Sequence, residues 1–397
     1  MKVYIVTQEG FPNGMAAASR IKCYAKAIIN AGADVEVITY TRSEVFGKSP
    51  RNTNGNGIFQ NIPFRYAGNT PLRSSNIFIR FFDDILDEYR TLLYLKKNMQ
   101  SGDVILTYLR EAKFDKKLFQ FAKKYGYKIF RDLCEYPYAV NTITEETKKK
   151  ANRYLKNRFS RYDGSICISE SLLQLAKSYH PSGQHFKVPI LIDDTKWRFD
   201  DVSPIQRPYS YIFHSGALLQ QKDGILDVLK AFADAIPSLP KKIKYLFTGY
   251  LDCSPDADQI KRIIEEKHLE DYVEFLGYLS DMEMKQYLLG ATLFIVLKND
   301  NLQNQFCFAT KLGEYLLSGN PVITTNVGEP KYYLKDRVNA ILINDNRQEL
   351  TNAIIDLVCN PDEAKRIGKE GKACAENNFF ALSHGEYIVN QFNSMGK

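Results

Sequence analysis

The sequence has few of the features that mark exported, membrane-spanning or metal-binding proteins. No stretch approaches the roughly 18 apolar residues that a membrane-spanning helix needs. The apolar run at residues 3–6 is far too short for a signal-peptide core. The seven cysteines are scattered and never spaced as CxxC, and the five histidines show no HxxxH or HExxH spacing. We therefore expect reduced thiols, no disulfide framework, no metal cluster and a cytoplasmic location.

The length, composition and charge of the chain indicate a globular protein of two domains with anionic partners. A chain of 397 residues exceeds what one hydrophobic core usually organises, so two domains are expected. The composition, with 44% hydrophobic and 25% charged residues, is that of a globular protein. The net charge of +7 favours anionic partners such as phosphates or acidic lipids. No segment resembles a nucleic-acid-binding module, so nucleic acid is not an expected partner.

Short apolar runs alternate with helical patterns throughout the chain, which predicts parallel sheets with crossover helices. The fold class is therefore α/β, with two Rossmann-like doubly wound domains that face each other across a cleft. The predicted division is an N-terminal domain at 1–190, a linker at 191–208, a C-terminal domain at 209–380 and a helix at 381–397 that packs back toward the first domain. Ligands are expected at the carboxyl ends of the strands.

The predicted strands are short and regularly spaced. In the first domain they cover residues 2–6, 34–39, 103–108, 127–130 and 165–169. In the second they cover residues 209–214, 244–248, 272–276, 292–296, 322–325 and 340–343.

A glycine turn follows the first strand of the second domain. Gly216 stands at this turn, and Lys222 lies where the next helix is predicted to begin. Backbone N–H groups, the positive end of a helix and an ammonium group would together bind an anion such as a diphosphate. An ordinary exposed lysine at a helix start explains Lys222 equally well.

The segment 310–322 is more specific. A helix is predicted to open near Thr310 and to close at Ser318-Gly319-Asn320. Glu314, one turn into this helix, would accept two hydrogen bonds from a ribose diol. Lys222, Lys311 and Glu314 would then share one wall of the cleft.

Because of these motifs, the chain resembles the GT-B glycosyltransferases of family 4, which are mostly retaining enzymes of capsule, exopolysaccharide and lipopolysaccharide assembly. The resemblance covers essentially the whole chain, and it implies that the domain at 1–190 binds the acceptor and the domain at 209–380 binds the nucleotide-sugar donor. Residues 14–20 are similar to the family's N-terminal glycine loop, residues 216–224 to its donor turn and residues 310–322 to its EX7E helix.

The resemblance implies roles for single residues. Lys222 would hold the donor diphosphate, Glu314 the ribose and Gly14 the close backbone approach to donor or acceptor. Met15 and Arg20, in the same loop as Gly14, are assigned to the acceptor. Tyr278 lies in a segment similar to the one that contacts the base, although a plain strand end and turn accounts for it nearly as well.

Two positions depart from the family pattern. Phe306 stands where the first motif glutamate is expected, and Ala217 stands where an arginine follows the donor-turn glycine. Lys311 is predicted to replace the lost positive charge. The donor-sugar contacts are predicted to come instead from Asn304, Gln305 and the backbone of Cys307, Phe308 and Ala309.

The chemistry needs cations where negative charge builds on the leaving diphosphate. Lys222, Lys311 and the helix start at Thr310 are predicted to supply this stabilisation without a metal or another cofactor. In the first domain, Asp132 or Glu135 is predicted to orient or deprotonate the acceptor hydroxyl. Carboxylates at strand ends often only cap loops, and this alternative stays open.

Two further motifs are interpreted as structural. Asp256-Ala257-Asp258 matches the DxD metal signature, but it follows Ser254-Pro255, which is typical of a helix cap and first turn. His214 lies beside the donor turn and is better explained as a hydrogen-bonded core histidine.

Two amphipathic helices bear on membrane contact. The basic helix at residues 148–161 either docks on anionic lipid, which makes the enzyme peripheral at the inner face of the plasma membrane, or presents a solvated charged face. The aromatic helix at 77–93 is similarly ambiguous between core and membrane. The basic helix at 148–161 carries the following cations: Lys148, Lys149, Lys150, Arg153, Lys156, Arg158 and Arg161.

The predicted function is a hexosyltransferase. It would move a sugar with retention from a nucleotide-diphosphate donor to a lipid-linked or oligosaccharide acceptor in surface polysaccharide assembly. The alternatives are a sugar-nucleotide epimerase of the same fold, a non-catalytic nucleotide-sugar-binding subunit and, with less support, a two-domain solute-binding protein.

Overall fold

The computed structural model describes residues 1–109, 112–136, 145–216, 218–240 and 242–394. The chain forms two compact units. The first comprises Met1–Asp193 together with Ala381–Lys397, and the second comprises Asp194–Phe380. The chain thus leaves the first unit inside the stretch predicted as a linker and returns to it for the last helix.

The first unit is built on an eight-stranded sheet with the order β3-β4-β2-β1-β5-β6-β7-β8. All neighbouring strands are parallel except the β3–β4 pair. Its elements are β1 Lys2–Thr7, α1 Ala16–Asn30, β2 Asp34–Thr39, β3 Asn56–Phe59, β4 Ile62–Tyr66, α2 Ile77–Asn98, β5 Val104–Tyr108, α3 Ala112–Tyr125, β6 Lys128–Leu133, α4 Glu145–Phe159, β7 Gly164–Cys167, α5 Glu170–Tyr179 and β8 Gln184–Lys187.

The second unit is built on a six-stranded, fully parallel sheet with the order β11-β10-β9-β12-β13-β14. Its elements are β9 Ser210–His214, α6 Gln220–Asp223, α7 Ile225–Ala235, β10 Ile243–Phe247, α8 Ala257–Glu266, β11 Val273–Phe275, α9 Asp281–Gly290, β12 Leu293–Val296, α10 Leu302–Phe306, α11 Thr310–Leu317, β13 Val322–Thr325, β14 Ile341–Ile343, α12 Arg347–Cys359 and α13 Pro361–Phe379.

The last helix, α14 (Gly385–Asn393), packs on α1 of the first unit. Gly385 lies so close to α1 that a Cβ added there would be 2.1 Å from the carbonyl oxygen of Ala27. The ring of Phe392 is fully buried, 4.9 Å from the ring of Phe130. The carboxyl-terminal segment therefore completes the core of the first unit.

The predicted α/β fold is confirmed, and each predicted strand is present with ends that agree to within three residues. Strands β3, β4 and β8 were not predicted from the sequence. The β3–β4 hairpin turns through Gln60 and Asn61, whose φ angles are 49° and 66°. No glycine marks this turn, so its usual sequence signal is missing.

Candidate active site

The loop after β9 is held by hydrogen bonds from two neighbouring elements. The backbone N–H of Ser215 donates to the hydroxyl of Tyr315 at 2.7 Å, and that of Gly216 donates to Thr248 Oγ1 at 3.1 Å. Gly216 has a φ of +112°, which side-chain-bearing residues rarely adopt. A Cβ at Gly216 would lie 3.3 Å from the Nζ of Lys311. The glycine backbone and a cation therefore meet at the carboxyl end of β9, while Ala217 lies outside the described residues.

Helix α11 begins at Thr310, with Ala309 in the cap position and no side-chain cap. Leu312, Tyr315 and Leu316 are buried, and the ring of Tyr315 stacks on Phe294 of β12 at 4.3 Å. This packing holds the positive end of the helix beside the Gly216 loop.

A buried carboxylate organises the cations of this region. Asp223 Oδ1 lies 2.8 Å from Lys311 Nζ and 3.7 Å from Lys298 Nζ. His214 Nε2 lies 3.4 Å from Lys311 Nζ. Burial by itself would raise the pKa of Asp223, but Lys311, His214 and Lys298 together outweigh it and hold that pKa below its usual value. The charge of Lys311 is therefore partly balanced within the protein.

Asp223 and Lys298 were missed by sequence reasoning. Asp223 directly follows Lys222 in the donor turn, and Lys298 follows the end of β12, so both stand where ligand contacts are expected. Lys222 itself is exposed on the short helix α6, and its carbonyl oxygen accepts a hydrogen bond from Lys298 Nζ. His214 is buried at the end of β9, with the contact to Lys311 described above.

Glu314 is half-buried on α11. Burial raises the pKa of this carboxyl to about 7, and the positive charges of Lys196 and Lys311 only partly offset that effect. Lys196 also forms a 2.8 Å ion pair with Asp281. Lys196 lies in the predicted linker, where sequence reasoning did not look for site residues.

Two exposed tyrosines follow adjacent strands of the second unit. Tyr278 is 73% exposed and Tyr250 is 58% exposed, and their rings meet edge to face at 5.2 Å. The backbone N–H of Gly249 donates to the carbonyl of Gly277 at 2.7 Å, which holds the two turns together. A Cβ at Gly277 would lie 3.2 Å from the ring of Tyr250, so the glycine makes room for that ring. Tyr250 was not predicted.

The segment that departs from the family pattern is folded tightly. Asn304 is buried, and its Nδ2 donates to the carbonyl of Asn299 at 2.9 Å. Phe306 is half-buried as the last residue of α10, and Cys307 is half-buried beside it. The side chain of Phe308 lies in the core, 5.5 Å from the ring of Tyr333, so only its backbone remains for the predicted donor contact.

In the first unit, Arg20 and Asp132 form one buried ion pair. The Nε of Arg20 donates to Asp132 Oδ2 at 3.0 Å, and its Nη1 donates to the carbonyl of Pro189 at 2.7 Å. Tyr24 donates to Asp132 Oδ1 at 2.7 Å. Both carboxylate oxygens therefore already accept hydrogen bonds. This geometry ties α1 to β6 and does not favour the predicted roles of Arg20 in acceptor binding and Asp132 in catalysis, which stay predictions.

The other predicted residues of the first unit lie on its surface. Glu135 is exposed after the end of β6. Met15 is exposed in the cap position of α1. A Cβ at Gly14 would lie 2.8 Å from both the Cβ of Ala18 and the carbonyl oxygen of Gly10, so only glycine fits this turn.

A polar pocket of about 370 Å³ lies at the carboxyl ends of β1 and β2. Arg42 and Arg73 line it together with three carboxylates, those of Glu9, Asp84 and Glu88. Burial raises the pKa of Asp84, with Arg73 opposing the effect and the neighbouring carboxylates adding to it. Dense donors and acceptors of this kind suit a polyhydroxyl ligand.

The DxD segment is placed differently from the prediction in one respect. Asp256, not Ser254, occupies the cap position of α8, and Asp258 lies in the first helical turn. The Oδ2 of Asp256 accepts a hydrogen bond from the backbone N–H of Gln220 at 2.8 Å. Ser254 donates instead to the carbonyl of Leu218 at 2.5 Å. These contacts tie the start of α6 to α8.

The basic helix α4 has a buried apolar side, with Ala151, Leu155 and Phe159 in the core. Arg158 is also buried, and its Nε lies 3.2 Å from Asp115 Oδ2. The side chain of Lys148 lies outside the described residues. The exposed cations of this helix are Lys149, Lys150, Arg153 and Lys156. The apolar stripe of α4 is therefore core, and Arg158 is not available to a lipid surface.

Two doubly wound α/β units, the second of which carries a glycine loop and cations at its strand ends, are the architecture of the GT-B fold. Sucrose-phosphate synthase of Thermosynechococcus elongatus matches with a TM-score of 0.76 at 16% identity, over 99% of each chain. HepE of Anabaena, solved in complex with UDP, matches with a TM-score of 0.69 at 15% identity, over 99% of this chain and 100% of its own. At such identities the likeness shows the fold.

The family follows from the sequence comparison. The profile of the family described as Glycosyl transferases group 1 matches residues 195–373, inside the second unit. The alpha-monoglucosyldiacylglycerol synthase of Acholeplasma laidlawii is 22% identical over 212 residues, which are 53% of this chain and 48% of that relative. The match thus spans about half the length of the curated relative. The second unit therefore carries a group 1 glycosyltransferase domain, and the family resemblance drawn from the motifs is confirmed.

Proposed function

We propose that this protein transfers a hexose-type sugar, with retention, from a nucleotide-diphosphate donor to a lipid-linked or oligosaccharide acceptor in the assembly of surface polysaccharide or glycolipid. The observation that carries the proposal is the meeting of Gly216 with Lys311 at the uncapped start of α11. A glycine backbone, a cation and a helix N-terminus at one point form a site for a diphosphate. We place the protein in the cytoplasm.

The proposed donor is a UDP-sugar. Support comes from HepE of Anabaena, a protein of the same fold that was solved with UDP. The exposed pair Tyr250 and Tyr278 offers aromatic faces for a base, and Glu314 offers a carboxylate for the ribose. A thermal-shift screen with UDP, GDP, ADP, CMP and dTDP sugars tests this choice, because a ligand that binds only the folded state raises its melting temperature.

In the proposed reaction the bond between the anomeric carbon and the diphosphate oxygen breaks, and the diphosphate leaves with both bonding electrons. The acceptor oxygen bonds to the same carbon on the same face, and its proton passes to the departing diphosphate oxygen. Lys311, Lys298, Lys222 and the N-terminus of α11 stabilise the charge that develops on the leaving diphosphate. This set of cations supports our proposal that transfer needs no metal.

The proposed acceptor site is the polar pocket of the first unit. Its carboxylates and arginines suit the hydroxyl groups of a sugar or polyol headgroup. Glu9 and Glu88 are the pocket carboxylates that we propose hold the reacting hydroxyl. The name of the Acholeplasma laidlawii relative, a glucosyldiacylglycerol synthase, supports a lipid-linked acceptor.

One observation keeps an epimerase as the second candidate. Phe306 occupies the position of the family's motif glutamate, so the contact expected to hold the donor sugar is absent there. An enzyme that rearranged its own sugar nucleotide would release a free epimerised donor and would need no acceptor.

Product analysis with a sugar-radiolabelled UDP-hexose separates the two candidates. The protein is incubated with the donor and a mixture of lipid and oligosaccharide acceptors, and the label is followed in the acceptor and the nucleotide fractions. We expect label in an acceptor product together with released UDP. A free epimerised sugar nucleotide, with no labelled acceptor, would overturn the proposal.

A further inference from the structure

Helix α2 presents a large apolar face to solvent. Phe78 is 73% exposed, Phe82 is 62% exposed and Tyr89 is 59% exposed. With Ile85 and Leu93 they follow one another at helical spacing, so they form a single stripe along the helix. We call these five residues the α2 outer face. Soluble proteins rarely leave so large an apolar patch in water without a use for it.

The polar side of α2 is anchored to the first unit by ion pairs. Arg42 binds both Asp83, at 2.7 Å, and Asp87, at 3.2 Å. Asp84 pairs with Arg73 at 3.6 Å, and Glu88 pairs with Lys117. These ion pairs fix the rotation of α2 about its axis. Because they hold the acidic side of the helix against the first unit, the apolar side faces solvent.

Cations continue the α2 outer face at its carboxyl end. The stripe of Phe78, Phe82, Ile85, Tyr89 and Leu93 leads at the same spacing to Lys96, which is exposed. Lys97 and, on α3, Lys124 are exposed nearby, and Lys96 and Lys124 approach the ring of Tyr125 at 5.8 and 5.6 Å. The apolar surface therefore has a basic end.

We propose that the α2 outer face docks on the surface of an anionic lipid bilayer. A bilayer interface accepts aromatic and aliphatic side chains below its headgroups and lysines among them. A second copy of the chain would also cover the apolar stripe, but the chain carries a net charge of +7, so the lysines at the end of the stripe favour an anionic bilayer over a second copy. In the part of the chain that the structure describes, every helix is too short or too polar for a membrane span. The helix lies along the surface.

The same helix links the bilayer to the pocket of the first unit. Asp84 and Glu88 of α2 line that pocket, and the α2 outer face is the exposed side of the same helix. A helix with its side chains is about 10 Å thick. If the pocket binds the acceptor, which rests on the proposed function, docking holds the pocket near the headgroups and favours a lipid-linked acceptor. The docking itself does not depend on catalysis.

Vesicle flotation of the full chain tests the docking. Vesicles of phosphatidylcholine alone are compared with vesicles that contain phosphatidylglycerol. The triple variant Phe78→Ser, Phe82→Ser, Tyr89→Ser removes apolar contacts, and we expect its binding to fall by about tenfold or more. The pair Lys96→Gln, Lys97→Gln is expected to reduce only the extra binding to phosphatidylglycerol. Met282→Ser, which changes a 54% exposed methionine of the second unit, is the matched control with unchanged binding.

Circular dichroism and thermal melting confirm that each variant is folded. Undiminished vesicle binding by the triple variant would overturn the proposal. A second result would also overturn the docking proposal: the wild-type chain binds neither type of vesicle, and it forms a dimer in size-exclusion chromatography whereas the triple variant is a monomer. Calorimetry with UDP on the same variants keeps the two proposals apart, because loss of docking leaves donor binding unchanged, whereas a failed donor site leaves vesicle binding unchanged.

Discussion

Single charged residues decide the balance of charge around the Gly216 loop. Asp223 is buried beside Lys311 and Lys298, and its pKa is held low by the surrounding cations after they overcome the effect of burial. A diphosphate at the loop would meet the same cations. We therefore interpret Asp223 as the internal counter-charge that keeps Lys311 in place until a donor binds.

Asp223→Asn tests this interpretation. Removal of one partner of a buried ion pair leaves the other charge uncompensated, so we expect a loss of about 3 kcal/mol in the free energy of unfolding. UDP should then raise the melting temperature of the variant more than that of the wild type, because the diphosphate replaces the lost negative charge. Thermal melts with and without UDP measure both effects. Asp258→Asn, at an exposed position of α8, is the control. An equal or smaller rise with UDP in Asp223→Asn would refute the interpretation.

Glu314 gives a pH-dependent prediction. Its pKa is about 7 in the folded chain against an ordinary value of 4.5, chiefly because of burial. Between these values the unfolded chain loses the proton while the folded chain keeps it, so stability falls as pH rises through this window. Glu314→Gln removes this cost and should be more stable than the wild type by about 1–3 kcal/mol at pH 8, but not at pH 4.5.

Urea unfolding at several pH values checks the sign of the Glu314 effect. The exposed Glu370→Gln is the control, with a stability curve parallel to that of the wild type. If the curve of Glu314→Gln also ran parallel to that of the wild type, the assigned burial of this carboxyl would be wrong.

At the scale of elements, Tyr315 couples α11 to the loop after β9. Tyr315→Phe keeps the stacking on Phe294 but removes the acceptor of the Ser215 N–H, which we expect to cost about 1–3 kcal/mol. The loosened loop should also weaken UDP binding by about tenfold, measured by calorimetry. Tyr211→Phe is the matched control, because its buried hydroxyl donates to the carbonyl of Tyr287 away from the loop. That variant should lose stability without losing affinity, and equal affinity losses in both variants would argue against the coupling.

The elements also show what the sequence could predict. The bounds of α11 were predictable, because Thr310 opens an apolar helical pattern and Gly319, with a φ of 82°, ends it. The start of α2 also has a clear sequence signal, because Asn76, which caps it, stands directly before the apolar helical pattern. The direction of its apolar face was not predictable, since that direction depends on long-range ion pairs such as Arg42–Asp83.

The same limit applies to residues that meet only in three dimensions. Lys311, Glu314 and Gly216 were predicted because each belongs to a local motif. The ion pair of Arg20 with Asp132 joins positions far apart in sequence, and no local pattern indicates that each residue satisfies the other. The pocket of the first unit was missed for the same reason, because it is assembled from the ends of two strands and the polar side of α2.

At the scale of the whole molecule, the features of the proposed donor site lie in the second unit, and the polar pocket and the apolar surface lie in the first. The family match at 195–373 and the glycine loop, cations and tyrosine pair all belong to the second unit. The polar pocket and the α2 outer face belong to the first. This distribution agrees with the proposed donor site in the second unit and with the proposed acceptor site and membrane docking in the first.

Calorimetric titration of UDP and its sugar conjugates into the wild type, Lys222→Ala, Lys311→Ala and Glu314→Ala tests the donor site most directly. Each variant removes one proposed contact to the diphosphate or the ribose, so each should bind about tenfold or more weakly, which corresponds to about 1.4 kcal/mol. Asp258→Asn should bind like the wild type. Unchanged affinity in all three alanine variants, each shown to be folded, would contradict a nucleotide-sugar site at the Gly216 loop and α11.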